Sequence, residues 1–195
     1  VVFEQLLKDG YRMSPQRTHP LLLAFPADHD HAAQEIEAIL EADAARGGSR
    51  VSSVCHVWLA VLAAYTGDAE TAGAHLESGS EAVLSSGDAQ GETTTSMAGV
   101  VVSAMRGDDG ELGRYADRLE SSATAAGQFA DFCAGGAASE LIAAGRADQL
   151  RRVLAAGRPG GPWDRARRLQ AEAALAAHDG DHDLAVDLAV ESVEI

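Results

Sequence analysis

The chain has 195 residues, a formal net charge of -15 and a single lysine, Lys8. This acidic balance argues against direct binding of nucleic acid or of an anionic membrane. Apolar residues make up 46% of the chain and aromatic residues only 5%. Alanine, the strongest helix former, is abundant, and few alternating β-branched runs are present. The composition predicts an all-α protein that is long enough to bury a sizeable core.

Residues 1–30 are interrupted by Pro15, Pro20 and Pro26, and we expect them to form an irregular segment or the end of a preceding domain. Beyond them, apolar periodicity predicts helices over 31–46, 51–66, 69–86, 93–106, 110–126, 129–144, 147–156, 163–178 and 182–195. Loop signals separate pairs of helices: RGGSR from Arg46, GDAQGETTT from Gly87 and GRPGGP from Gly157. We expect the hydroxyls between Thr93 and Ser96 to cap the helix that follows them. Because the chain stops within a helical pattern, we expect the helical array to be truncated at its C-terminus.

An internal repeat relates two distant turns. Superimposing Gly67 on Gly180 also aligns Asp68 with Asp181, and an alanine-rich helix precedes each Gly-Asp pair. A glycine at this place ends a helix in the left-handed conformation, and the aspartate caps the next helix. Related turns are predicted at Gly107 and Gly145, so the four glycines are spaced by 40, 38 and 35 residues.

The repeat resembles a tetratricopeptide-like (TPR-like) array over about residues 31–195, whose period is about 34 residues. The best match begins near Val51, where Leu59 and Ala60 fall at the large and small positions of the first helix. In the second helix, the small, large and small positions are occupied by Ala72, Leu76 and Gly79. The pair at 163–195 matches through Ala173, Ala185 and Ser192, but Glu172 stands where a large apolar residue is expected. The resemblance implies stacked antiparallel helical hairpins, an α-solenoid.

The alanine- and arginine-rich style is also similar to the helical repeat region of large actinobacterial LuxR-type transcriptional regulators. Both resemblances imply a non-enzymatic interaction module that senses a partner protein, a peptide or a small effector in the bacterial cytoplasm. A purely structural oligomerisation segment is an alternative, and a homo-oligomer is compatible with either function. Polar positions on the first helices, such as His56, Ser96, Ser103 and Arg167, are candidates to line the binding groove.

Two histidine-rich stretches raise the alternative of a metal-dependent hydrolase. HDGDHD, from His178 to Asp183, and DHDH, from Asp28 to His31, contain residue types that bind zinc and other divalent ions. The aligned turn YTGDAE keeps Gly-Asp without any histidine. We therefore interpret HDGDHD as a polar turn between helices, and Asp28 or Asp30 as a helix cap. No metal or other cofactor is expected.

Seven arginines form the one asymmetric feature, within a stretch whose acids are Asp148 and Asp164. They are Arg146, Arg151, Arg152, Arg158, Arg165, Arg167 and Arg168. Such a cluster is typical of a solvated helix face with ion pairs to neighbouring acids. The alternative is a docking patch for an acidic partner or a phosphate-bearing ligand.

The sequence carries no signature of a catalytic nucleophile or a nucleotide-binding loop. Cys55 and His56 are adjacent, but neighbouring helical residues do not face each other. Cys55 and Cys133 lie in apolar helical settings, where we expect reduced core thiols. The glycines of CAGGAAS, from Cys133, favour close helix packing. Apolar runs fall well short of the roughly 18 residues that suggest a membrane span, and we expect no enzymatic activity.

Overall fold

A computed structural model describes residues 29–45, 50–86, 89–158 and 160–195. All regular secondary structure in these ranges is α-helical, as the composition predicts. The helices are α1 (His29–Ala44), α2 (Arg50–Tyr65), α3 (Ala69–Ser86), α4 (Ala89–Arg106), α5 (Asp109–Ala126), α6 (Phe129–Ala143), α7 (Ala147–Ala156), α8 (Pro162–His178) and α9 (His182–Glu194). The segment predicted to be irregular lies outside the described residues, except for the start of α1.

Within these ranges, four pairs of helices are each joined by a short turn. Helix α2 packs on α3, α4 on α5, α6 on α7 and α8 on α9. The first helix of each pair also packs on the first helix of the next pair, so that α4 lies against α2 and α6, and α8 lies against α6. Between the second helices, α7 packs against α5.

The four predicted turn glycines, Gly67, Gly107, Gly145 and Gly180, all have positive φ, between 67° and 86°. At the first turn, the Gly67 N–H donates to the Ala64 carbonyl at 3.1 Å and the Asp68 N–H donates to the Ala63 carbonyl at 2.9 Å. The same two bonds recur at the other three glycines. This is the Schellman motif, which satisfies the last carbonyls of a helix and requires the left-handed conformation that glycine adopts at little cost.

The residue after three of these glycines caps the next helix. Asp68 accepts from the Thr71 N–H at 3.0 Å, Asp108 from Glu111 at 2.8 Å and Asp181 from Leu184 at 3.1 Å. At the fourth turn, Arg146 makes no such side-chain bond. A fifth positive-φ glycine, Gly127, joins α5 to α6 and was not among the predicted turns. Each Gly-Asp turn therefore stops one helix and starts the next.

The core runs through all four pairs and is built largely from alanine, valine and leucine. Small residues allow helices to approach closely. A Cβ added to Gly135 of α6 would stand 2.5 Å from the backbone oxygen of Arg167 in α8. Gly135 therefore allows close packing between α6 and α8, and Gly136 allows it between α6 and Met97 of α4, in agreement with the sequence.

The start of α4 was predicted wrongly. The sequence places a loop through Gly87 to Thr95 and a cap at Thr93–Ser96, but α4 begins at Ala89. Thr93, Thr94 and Ser96 are buried inside the helix and donate to the carbonyls of the residues four positions earlier, at 2.7–2.9 Å. Packing against neighbouring helices overrides the weak helix propensity of these hydroxyl residues, and the back-bonds satisfy their polar groups.

None of the helices within the described ranges is long and apolar enough to cross a membrane. Both cysteines are buried free thiols. Burial raises the pKa of each thiol to about 12. These thiols are therefore protonated at neutral pH and act as small core residues.

Candidate functional site

Ion pairs neutralise five of the seven arginines of the predicted patch. Arg146 faces Asp117, Arg151 faces Asp148 and Asp179, Arg152 faces Glu120, Arg165 faces Glu191, and Arg168 faces Asp131 and Glu172. Most of the acids come from other helices rather than from the neighbouring sequence. Five members of the patch are therefore already paired, mainly with acids of other helices.

The Arg168–Asp131 pair is the most buried of these ties. The Asp131 side chain is 1% exposed, and its Oδ1 accepts from Arg168 Nη1 at 3.0 Å. The same guanidinium donates to the Leu154 carbonyl at 3.1 Å and to Glu172 at 2.8 Å. Burial raises the pKa of Asp131 despite the opposing charge of Arg168. The pair joins α6 to α8 and to the end of α7, so its role is structural.

Arg167 and the exposed Arg158 have no carboxylate partner among the described residues, but Arg167 differs from Arg158 because it lies against an aromatic ring. Its guanidinium carbon lies 5.5 Å from the centre of the Phe132 ring, and its Nη1 donates to Gln170 at 3.0 Å. Burial lowers the pKa of this arginine, although the ionisable side chains of Tyr65 and Cys133 oppose the shift. A partly desolvated cation over an aromatic face can bind an anionic group with little competition from water.

Tyr65, at the end of α2, interacts electrostatically with Arg167. It is 55% exposed and stacks with His29, with ring centres 6.1 Å apart. The pKa of its hydroxyl is raised by partial burial and by Glu140, and lowered by Arg167. Trp58 of α2 meets Phe132 of α6 in an edge-to-face contact, with ring centres 5.7 Å apart. The first helices α2, α6 and α8 thus bring a cation, an exposed phenol and an aromatic floor together.

We call Arg167, Tyr65 and Phe132 the Arg167 site. Its three members are separated by 67 and 35 positions along the chain, so sequence proximity does not reveal it. The sequence named Arg167 both as a member of the basic patch and as a candidate groove residue, but it gave no reason to join it with Tyr65. The site holds a cation and a partly exposed phenol, and none of its members is an activated nucleophile.

The other candidate groove residues have different surroundings. Ser96 and Ser103 are buried in α4 and do not line a surface. His56 of α2 meets His75 of α3, with 3.0 Å between their Nδ1 atoms. Burial lowers the pKa of both imidazoles, and His75 adds to the effect on His56. The pair spans 19 residues across the Gly67 turn, and the sequence analysis missed it. Arg158 is exposed, and its backbone N–H donates to the Gly127 carbonyl at 3.4 Å.

The HDGDHD stretch forms the turn between α8 and α9. Asp179 pairs with Arg151 at 2.6 Å, and Asp181 caps α9. His178 and His182 are exposed. In the described part of the chain, no group of three or more His, Cys, Asp or Glu side chains is arranged to hold a metal ion. Asp28 and the side chains of Asp30 and His31 lie outside what the structure describes, so the upstream DHDH stretch is not tested.

Comparison with models of known protein families finds no match to this chain. Searches of curated proteins and of solved structures also find no match. The function of the chain must therefore be inferred from the arrangement of its own residues.

Proposed function

We propose that the chain is a non-enzymatic interaction module of stacked helical hairpins, arranged as a TPR-like solenoid, which binds a protein, peptide or small effector. We further propose that the module is the sensing part of a cytoplasmic bacterial transcriptional regulator. A DNA-binding domain encoded in the same gene would support the regulator assignment, and a gene without one would count against it.

The recurring turns support the stacked arrangement. Four Schellman turns at similar spacing each connect the two helices of a pair, and each pair packs on the next through its first helix. Stacking of equivalent units in this way creates a continuous face lined by the first helices. A face of this kind is suited to binding rather than to chemistry, because its shape is set by the helices and not by a closed pocket.

The Arg167 site is the observation that carries the binding proposal. In a chain of net charge -15, most arginines of the patch are occupied by acids, whereas Arg167 is held over Phe132 without one. A ligand carboxylate or other anionic group would complete the guanidinium's hydrogen bonds. The neighbouring Tyr65 offers an exposed ring and a hydroxyl for an apolar or aromatic group beside that anion.

The test is selection of ligands from a library of short peptides displayed with free C-terminal carboxylates, followed by calorimetric titration of the selected peptides. Each peptide is also titrated with its C-terminus amidated. We expect the free carboxylate to bind about tenfold or more tightly, since charge-assisted hydrogen bonds to arginine are among the strong ones.

Arg167→Gln is expected to remove this preference, and Arg158→Gln is the matched control because it removes an exposed arginine from the same patch. Circular dichroism of each variant checks that the fold is retained. Equal affinity of free and amidated peptides for the unmodified chain would contradict the proposal, as would an Arg167→Gln variant that keeps the preference.

A further inference from the structure

Helix α9 carries an apolar stripe on its outer face. Val186, Val190 and Val193 follow the i, i+4, i+7 spacing that aligns residues along one side of a helix, and they are 61%, 53% and 84% exposed. The helix packs on α8 through its other side, where Ser192 is buried. We call the three valines the α9 stripe.

The position of the α9 stripe matches the positions that join neighbouring helix pairs elsewhere in the chain. Counting from the turn glycine, Val186 is the sixth residue, as are Gly73, Gly113 and Arg151. Those three all contact the turn region of the following pair. A Cβ added to Gly73 would collide with Arg106, one added to Gly113 would stand 2.5 Å from Arg146, and Arg151 pairs with Asp179 at 2.6 Å.

The other two valines show the same correspondence. Val190 and Val193 are equivalent to Asp117 and Glu120 of α5. Asp117 accepts from Gln149 of the next pair at 2.9 Å. Glu120 accepts from Arg152 of that pair at 2.6 Å. The α9 stripe thus occupies the register through which α5 meets the following pair.

Charge indicates what kind of helix covers the stripe. Asp183, Asp187 and Glu194 are exposed and, at about 100° per residue, lie on the strip of α9 next to the valines. None of the three has an ion-pair partner within the described ranges. At the first two interfaces the following pair supplies arginines, namely Arg106, Arg146 and Arg152. At the third interface the charges are reversed, because Arg151 of α7 meets Asp179 of the following pair. A second copy of α9 would instead set acids against acids, which disfavours self-pairing through this face.

We propose that the α9 stripe is a docking surface for an amphipathic α-helix of a partner protein, with an apolar face bordered by arginine or lysine. The apolar face of the partner covers the valines, and its basic residues meet Asp183, Asp187 and Glu194. This surface is separate from the Arg167 site and does not depend on it. Helix-in-groove docking of this kind uses apolar anchors at helical spacing.

The probe is a fluorescein-labelled amphipathic peptide of about 18 residues, a length above the roughly 12–15 residues below which isolated helices are marginal. It carries leucines on one face and arginines beside them. A second peptide replaces arginine by glutamate, and a third keeps the composition but disperses the leucines. Fluorescence anisotropy should show the first peptide binding at least about tenfold more tightly than either of the others.

Two variants of the chain locate the binding. Replacing Val186, Val190 and Val193 by Gln should weaken it about tenfold or more, and so should neutralising Asp183, Asp187 and Glu194 to amides. The control neutralises three exposed acids of α3, Glu70, Glu77 and Glu81, which makes the net charge less negative by the same amount. The stripe residues are exposed, so all three variants should keep the helical circular dichroism spectrum.

Three results would overturn the proposal. One is a third peptide that binds as well as the first, since this would show general attraction to an acidic protein. Another is equal weakening by the α3 control. The last is the absence of binding by any peptide. If the chain also forms dimers that the valine substitutions abolish, a second copy of the chain is the occupant of the stripe.

Discussion

Removing the cation from the Arg168–Asp131 pair should destabilise the fold strongly. Arg168→Met keeps the aliphatic length of the side chain but leaves the Asp131 carboxylate, 1% exposed, without its charged partner. It also removes the donor to the Leu154 carbonyl. Loss of one partner of a buried pair costs about 3–5 kcal/mol. Because Arg168 is itself 33% exposed, we expect the lower end, about 3 kcal/mol.

Urea unfolding followed by circular dichroism measures this change in the free energy of unfolding at neutral pH. In a thermal melt, the melting temperature should fall by about 6–12 °C. Arg165→Met is the control. Arg165 lies on the same helix and pairs with Glu191, but both side chains are largely exposed (64% and 45%), so its loss should cost no more than about 1 kcal/mol. Adding Asp131→Asn to Arg168→Met should recover about 2 kcal/mol, since no buried charge is then left unpaired.

The pH dependence supplies a second check. In the Arg168→Met variant the pKa of Asp131 should rise further, because the opposing charge of Arg168 is gone. A carboxyl with a folded-state pKa above its unfolded value destabilises the fold only when it is ionised. The deficit of the variant should therefore shrink as the pH falls from 7 towards the unfolded pKa of about 4. A constant deficit, or a loss no larger than that of Arg165→Met, would refute this account of the pair.

Three further predictions concern the turns and the histidine pair. Gly67→Val should lower the free energy of unfolding by more than about 1 kcal/mol, because a β-branched residue is strained at φ 81°; an unchanged urea midpoint would contradict this. Asp181→Ala should cost about 1 kcal/mol through loss of the α9 cap, and thermal melts with and without EDTA should agree within error, since a metal at this turn would make them differ. The pKa values of His56 and His75 are lower in the folded chain than in the unfolded chain. As the pH falls, the unfolded chain therefore binds protons before the folded chain does, and the free energy of unfolding should decrease below about pH 6.5. Between pH 7.5 and 5.5 the melting temperature of His56→Gln should fall less than that of the unmodified chain. An equal fall in both proteins would contradict a role of the histidine pair in this pH dependence.

Local signals explain what the sequence could predict. A Schellman turn is specified by a few adjacent residues, so Gly67 and Gly180 could be aligned with their following aspartates from the sequence alone. The start of α4 could not be predicted in this way, because Thr93 and its neighbours favour a loop by local propensity. Burial against α2, α3 and α6 and the back-bonds to Ala89 and Gln90 decide the outcome.

The arginine patch shows a second limit of prediction from the sequence. Within its own stretch the sequence offers two acids, Asp148 and Asp164, which left the choice between ion pairs and docking open. The structure brings acids from positions 26 to 37 residues away, such as Glu191 to Arg165 and Asp131 to Arg168. Pairing over such separations depends on how the helix pairs pack, and no local pattern encodes it. Arg167 was therefore not distinguishable from its neighbours until their partners were known.

The contacts between successive helix pairs keep their position while their chemistry changes. At the sixth residue after the turn, a glycine makes room for an arginine twice, an arginine bonds an aspartate once, and Val186 ends the series as an exposed apolar residue. Stacking that relied on one kind of side-chain contact would fix the residue type at this position. Instead, the backbone turn fixes the geometry and each interface supplies its own partner chemistry. Because specificity between neighbouring pairs resides in such contacts, a change from charged to apolar at Val186 alters the kind of helix that fits against α9.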